Sequence, residues 1–360
     1  MNSKILNTTF KYNLKIQYKM LTQKQYQQIK EELDNSQNPL FFYDDDPDGL
    51  CAFLLLYRYI KEGHGFVVKT HPKLDVRSAP KIEQYDADKV FVLDVANLDQ
   101  EFIDASKVPV IWIDHHGPYD RHNVKYFNPR INKKNANIPT TYLCYKAVKQ
   151  DLWIAMVGCI ADYYMPDFFD EFKKKYPDLT DNQKTVGDLY FKSKVGILIK
   201  IFSFCLKGQT SDVVKNMKIL TRIKSPYEIL NQETSRGRFI FQRYEKIKNL
   251  YDGLLKDALV QASKDKFLIY TYSEDKMSFT GDLANELLDK YPKKIVIVGR
   301  KKNEDVRMSI RSKNTLIPPI LEKSLSGLEG YGGGHEFACG ANVKETDFKE
   351  FIKRMKENIA

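Results

Sequence analysis

Residues 40–49 read LFFYDDDPDG, and the change of character at Asp44 decides the fold. Four apolar or aromatic residues in an unbroken run suit a strand buried on both faces, because a half-exposed strand alternates with period two. The same kind of run recurs at Lys89–Leu93 and at Val108–Ile113. Helical candidates lie between and after these runs, at Leu50–Lys61, Thr140–Gln150 and Leu152–Ala161. Strand, acidic loop and helix in repetition predict an α/β fold built on a mostly parallel sheet with flanking helices. Such sheets bind ligands outside the carboxyl ends of their strands. Here every one of those ends is acidic. The first runs into Asp44-Asp45-Asp46-Pro47-Asp48, the second into Asp94, and the third into Asp114-His115-His116.

Upstream, residues 1–22 are Lys- and Tyr-rich, and the run from Thr22 reads as a helix that stops near Asn38-Pro39, where proline disfavours helix in the residue before it. Tyr12, Tyr18 and Tyr26 interleave with lysines there and could stack on bases, although solvated lysines with packed tyrosines are the commoner outcome. Downstream, residues 164–235 are mixed helix and loop, and Ser235–Ser263 supports one long helix. A second, smaller α/β unit follows, with strands at Lys266–Tyr272, Lys294–Val298 and Val306–Arg311, a helix at Gly281–Lys290 and a glycine-rich segment over Gly327–Gly340. The expected division is therefore 1–38, a basic arm and helix; 39–234, the first α/β domain; 235–263, a linker helix; and 264–360, the second domain.

A chain of 360 residues exceeds the ~100–200 typical of one domain, which agrees with that division. The net charge of +10 favours an anionic partner such as nucleic acid, nucleotides or a membrane surface. Five scattered cysteines with no C-x-x-C pair exclude a disulfide framework and a zinc knuckle, and fit a reducing compartment. The longest apolar stretches, Leu50–Tyr57 and Leu152–Ala161, fall short of the ~20 residues that span a bilayer. A cytoplasmic protein without membrane contact is expected.

Asp46 and Asp48, one residue apart beyond a buried strand, can converge on one point, and their repulsion calls for a cation. Asp-Pro-Asp-Gly is equally good turn chemistry. Asp94 and Asp162 are weaker alone, since a single Asp there is often a helix cap. Two histidines directly after a buried strand need polar partners once desolvated. Taken jointly, Asp46, Asp48, Asp94, Asp162 and one or two imidazoles select a hard or borderline divalent ion. Mn²⁺ fits best, Mg²⁺ is possible, and Zn²⁺ fits less well. The ligands suffice for two ions.

These motifs resemble those of the DHH phosphoesterase superfamily: DDDPDG, Asp94, the Asp114-His115-His116 triplet and VGCIAD ending at Asp162. Gly332-Gly333-Gly334-His335, followed by Phe337-Ala338-Cys339-Gly340, is similar to the glycine-histidine signature of the DHH-associated C-terminal domain, and Met308–Ser312 to its arginine strand. The resemblance spans residues 40 to 343 in the expected order. Members include RecJ-type single-strand exonucleases and enzymes that hydrolyse oligoribonucleotides or cyclic dinucleotides.

The resemblance implies roles. Asp46 would ligate a first metal, Asp48 and His115 a second, with Asp94 bridging and Asp162 completing the shell. His116 would sit near the phosphate, with Asp114 beside it in the triplet. Arg311, Gly332–Gly334 and His335 would hold substrate phosphate. One departure stands out, because Phe42 occupies a position where many members carry a ligand histidine, and Asp44 occupies another. Asp44 would then substitute as a ligand, or the first ion would bind weakly. The implied activity is metal-dependent hydrolysis of single-stranded DNA or RNA or of short oligonucleotides. Cyclic-dinucleotide hydrolysis and a weakly catalytic scaffold in a replication complex are the alternatives, and replication or repair proteins would be partners.

Overall fold

The computed structural model describes residues 21–69, 73–275 and 277–358. The basic arm, with Tyr12 and Tyr18, lies outside the described residues except for Leu21 and Thr22. The described residues pack as two compact units: those within Met1–Asp44 and Leu55–Gln150, and those within Asp45–Leu54 and Asp151–Ala360.

The first unit is built on five parallel strands: β1 (Pro39–Asp44), β2 (His64–Val68), β3 (Lys89–Leu93), β4 (Val110–Ile113) and β5 (Lys125–Phe127). Their order is β2-β1-β3-β4-β5. The three apolar runs become the central strands, buried along almost their whole length. Leu40, Phe42, Val90, Val92, Val110 and Trp112 fill one face of the sheet with Phe102 and Leu98. The third run starts at Val110 rather than Val108, because Pro109 has no N–H to give the ladder. The edge strands β2 and β5 are only partly buried, so they lack the unbroken apolar signal.

Helix α1 (Gln23–Asp34) opens with a capping box between Thr22 and Gln25 and buries Tyr26, Ile29 and Leu33. Helix α2 (Pro47–Ile60) starts three residues earlier than the apolar pattern indicates. Pro47 takes the first helical position, where its missing N–H is no loss, and Asp46 caps it by accepting the Gly49 N–H at 2.9 Å. Asp48 therefore stands in the first turn of a helix, and the Asp-Pro-Asp-Gly run is a helix entry instead of a free turn. Helix α3 (Thr140–Val148) also belongs to this unit.

The second unit takes in the first turns of α2 and then α4 (Leu152–Ala161), apolar all round and buried except at its end, as the sequence requires of a core helix. Helices α5 (Lys194–Cys205) and α6 (Ser235–Val260) follow, the latter a single run of 26 residues. Strands β6 (Phe267–Tyr272), β7 (Ile295–Lys302), β8 (Asp305–Arg311), β9 (Gly330–His335) and β10 (Ala338–Lys344), with helix α7 (Thr280–Lys290), form a mixed sheet ordered β9-β10-β8-β7-β6. Only β6 and β7 pair in parallel. The glycine-rich segment is thus the edge strand of a sheet, where the sequence had shown only a loop-like composition.

Candidate metal centre

In the first unit the acidic strand ends converge. Asp44 and Asp94 each offer a carboxylate oxygen within 4.8 Å of the other, and Asp94, Asp114 and His116 meet the same limit. Asp94 follows the last residue of β3 with φ +61°, a left-handed backbone that β-strand ends seldom show and that turns its side chain out of the ladder. Its N–H still donates to the Ile113 carbonyl at 2.9 Å. Its carboxylate, 1% exposed, lies 3.3 Å from His115 Nε2 and accepts the Thr140 hydroxyl at 3.1 Å.

Asp114 has no exposed surface, and its bonds show what it does. His116 Nδ1 lies 2.8 Å from Oδ1, the His116 N–H donates to Oδ2 at 3.0 Å, and Asn128 Nδ2 donates to Oδ2 at 3.1 Å. The Tyr126 hydroxyl adds a fourth contact at 3.3 Å. Tyr126 is itself held by stacking on Trp112 at 3.9 Å between ring centroids. A carboxylate so occupied orients its histidine, in the manner of the outer partners of metal- and base-bearing imidazoles. Burial, and then the charge of Asp114, push the Tyr126 phenol well above its ordinary range, so it acts as a neutral donor.

In the second unit Asp48 and Asp162 offer carboxylate oxygens within 4.8 Å of each other. Asp162 is the C-cap of α4. A carboxylate there faces the negative end of the helix dipole, the reverse of the favourable placement, and Asp48 adds a second like charge. Two unit charges 4 Å apart repel by about 4 kcal/mol at an effective dielectric of about 20. Burial is the first cause that raises the thiol pKa of Cys51, and the charges of Asp48 and Asp46 add to it; Cys159 is raised in the same way, by burial and then by Asp48. The nearby sulfurs therefore stay protonated, and the donor set is oxygen and nitrogen, which suits Mn²⁺ or Mg²⁺ better than a thiophilic ion. Carboxylates crowded in this way fit divalent cations.

Lys207 is a residue that motif reading missed. Burial pulls its ammonium down, but the charges of Asp282, Asp45 and Asp46 outweigh burial and leave its pKa above the ordinary value. Its Nζ lies 3.5 Å from Asp282, whose other oxygen accepts the Ser203 hydroxyl at 2.6 Å. Nothing in the sequence around Lys207 marks it; only the packing of α5 and α7 brings these groups together.

Arg311 and His335 flank one residue, since Ala338 of β10 pairs with both. The Arg311 guanidinium is fixed by Nε donating to Asn285 Oδ1 at 2.7 Å and Nη1 donating to the carbonyls of Ile310 and Cys339 at 3.0 and 3.2 Å. Along β9, Gly334 has φ +144° and a Cβ there would come within 2.4 Å of the Ala338 carbonyl oxygen. A Cβ on Gly333 would meet nothing within 4 Å. Phe42 packs in the core of the first unit, with ring centroids 6.0 Å from Phe66 and 5.6 Å from Phe102. It supplies packing and no ligand. His122 is exposed beside Asp104, as its sequence surroundings indicate.

The DHH family, N-terminal domain, matches residues 40–180, and the DHHA1 domain matches residues 265–360. No curated protein matches the sequence. Among solved structures, RecJ of Thermus thermophilus in complex with Mn²⁺ superposes with a TM-score of 0.68 at 16% identity, covering 93% of this chain and 54% of that one. An exonuclease RecJ bound to manganese gives 0.59 at 14% identity, covering 93% of each chain. The DHH domain of a member of a family of ribosomal proteins gives 0.65 at 16%, covering 93% and 89%. At these identities the likeness is one of fold, and the chain spans about half the length of the Thermus RecJ (54%). The chain belongs to the DHH phosphoesterase superfamily, with a DHH domain followed by a DHHA1 domain.

Proposed function

We propose that this chain hydrolyses phosphodiester bonds in single-stranded nucleic acid or short oligonucleotides, using two divalent cations, Mn²⁺ or Mg²⁺. The reading is carried by the crowding of carboxylates and imidazoles at the strand ends, a concentration of negative charge that folding tolerates poorly without cations. The proposed ligands are Asp46, Asp48, Asp94, His115 and Asp162, with Asp44 supplying the place that Phe42 leaves empty. When bound, such ions lower the pKa of water and neutralise the charge that develops on the phosphoryl oxygens.

The chain's own residues do the rest. Asp114 holds the His116 ring in one orientation toward the phosphate. Arg311, already anchored through Nε and Nη1, offers a fixed cation for phosphate, and His335 with those amides of Gly332–Gly334 that the edge strand does not give to β10 would hold an anion. The net charge of +10 favours a polyanionic substrate. No helix among the described residues is long and apolar enough to cross a membrane.

The test is incubation of labelled DNA and RNA oligomers with purified protein and Mn²⁺. Release of mono- or short oligonucleotides is expected, and is abolished by EDTA. Folded, Mn²⁺-loaded protein that cleaves neither polymer rejects the reading; turnover of a cyclic dinucleotide alone would move the substrate to that class.

A further inference from the structure

We propose that Tyr163 is a platform on which one base of the substrate stacks, which makes the substrates nucleotides and not inorganic or simple alkyl phosphates. This inference rests on the phosphodiesterase reading and adds a binding element that the metal and phosphate groups do not contain.

Tyr163 follows Asp162 directly and has φ +54°, a left-handed backbone that bulky side chains seldom adopt. An outlier of this kind beside a candidate ligand is a reason to look for a role. Tyr163 is 46% exposed. Scattered exposed aromatics are ordinary on protein surfaces and need no explanation. Tyr163 differs because its ring is also stacked, on Tyr190 at 5.3 Å and 24°, with Phe191 at 6.5 Å. Tyr190 is 8% exposed and supports one face of the Tyr163 ring. Tyr163 thus combines a ring stacked on a buried neighbour with substantial exposure, the form of a stacking surface.

The same cluster is tied to the phosphate-binding cation. Asn285 accepts from Arg311 Nε at 2.7 Å and lies beside the Tyr190 side chain. Tyr163, Tyr190, Asn285 and Arg311 are thus linked by successive contacts within one unit. A base acceptor, a guanidinium and the Asp48–Asp162 carboxylates are the three recognition elements that a nucleotide has groups to meet. Stacking tolerates every base, so the platform predicts preference for a nucleoside without preference for a sequence.

The experiment compares wild type, Tyr163→Phe and Tyr163→Asn on the dinucleotide pdAdA and on its two analogues in which one or the other base is replaced by hydrogen, all with Mn²⁺. Asparagine accepts a left-handed backbone, so Tyr163→Asn removes the ring while keeping the local fold. It is expected to raise KM for pdAdA about tenfold with kcat little changed, the size that loss of one base–aromatic stack gives. Tyr163→Phe should leave KM within about twofold. On one of the two analogues wild type should already show the raised KM, and Tyr163→Asn should add nothing. Equal KM for wild type and Tyr163→Asn on pdAdA overturns the proposal, as does an equal loss on all three substrates. If wild type cleaves none of them, the phosphodiesterase reading fails by itself. Anisotropy of fluorescein-labelled pdAdA with the Mn²⁺-loaded protein then decides the platform: binding weakened by Tyr163→Asn supports it, and unchanged binding overturns it.

Discussion

His116 Nδ1 lies 2.8 Å from Oδ1 of Asp114, and the backbone N–H of the same histidine donates to the other oxygen of that carboxylate at 3.0 Å. One buried acid thus fixes both the ring and the main chain of the residue two positions on. On the proposed reading, the aspartate of the Asp-His-His triplet would act through its neighbour. Asp114→Asn keeps the shape but weakens the grip, and should lower kcat on an oligonucleotide about 10- to 100-fold with metal affinity little changed. Steady-state rates with Mn²⁺ titration check this; an unchanged kcat would remove Asp114 from the reaction.

Crowded carboxylates make cation binding a stability term. Saturating Mn²⁺ should raise the melting temperature by several degrees, since a ligand at 100 times its Kd adds about 2.7 kcal/mol. Asp94→Ala should abolish that rise, while in the metal-free protein the relief of like charge near Asp44 offsets part of what is lost when Thr140 and His115 lose their buried partner. Thermal melts with Mn²⁺ and with EDTA measure both effects. A scaffold that binds no metal would show no rise in either protein.

The two neighbouring glycines of β9 should part company. Gly334→Ala forces a Cβ toward the Ala338 carbonyl oxygen and should cost about 1–3 kcal/mol of stability, read by urea denaturation. Gly333→Ala meets open space, so it should fold normally and raise KM if the amides there face phosphate. Normal stability with unchanged KM would take Gly333 out of the cradle.

Glu32 ties α1 to the sheet through Lys89 at 3.0 Å and through Lys125. Burial acts to raise its carboxyl, but hydrogen bonds from Lys125 and Lys89 outweigh that and leave its pKa below 4.5. The unfolded chain therefore takes up this proton first as pH falls. The stabilisation is fully present above pH 4.5 and is lost as pH drops through the lower folded value. Glu32→Gln should cost about 0.5–1 kcal/mol at pH 7, a modest figure because Lys125 is exposed and screened. The difference from wild type should vanish in acid; a constant difference from pH 7 to pH 3 in denaturant titrations would show that the ion pairs contribute nothing.

The sequence by itself determined the sheet and where acids and histidines gather at its strand ends. Leu40–Tyr43, Lys89–Leu93 and Val108–Ile113 could be read, the last of them two residues too long at its start, because strands buried on both faces must be apolar without interruption, and the acids after them could be read because nothing in a core explains charge there. Edge strands were not legible. His64–Val68 and Lys125–Phe127 are half-solvated and short, and Gly330–His335 owes its strand to pairing with Ala338–Lys344 and not to its own propensity. Asp48's place inside the first turn of α2 came from Pro47 and Asp46, local chemistry that an apolar period does not see. Tertiary structure alone decided that Asp114 serves His116, that Lys207 answers Asp282, and that Tyr163, Tyr190, Asn285 and Arg311 form one cluster. These partners lie between two and nearly a hundred positions apart, and distance along a chain carries no information about which side chains the packing of helices and sheets will bring into contact.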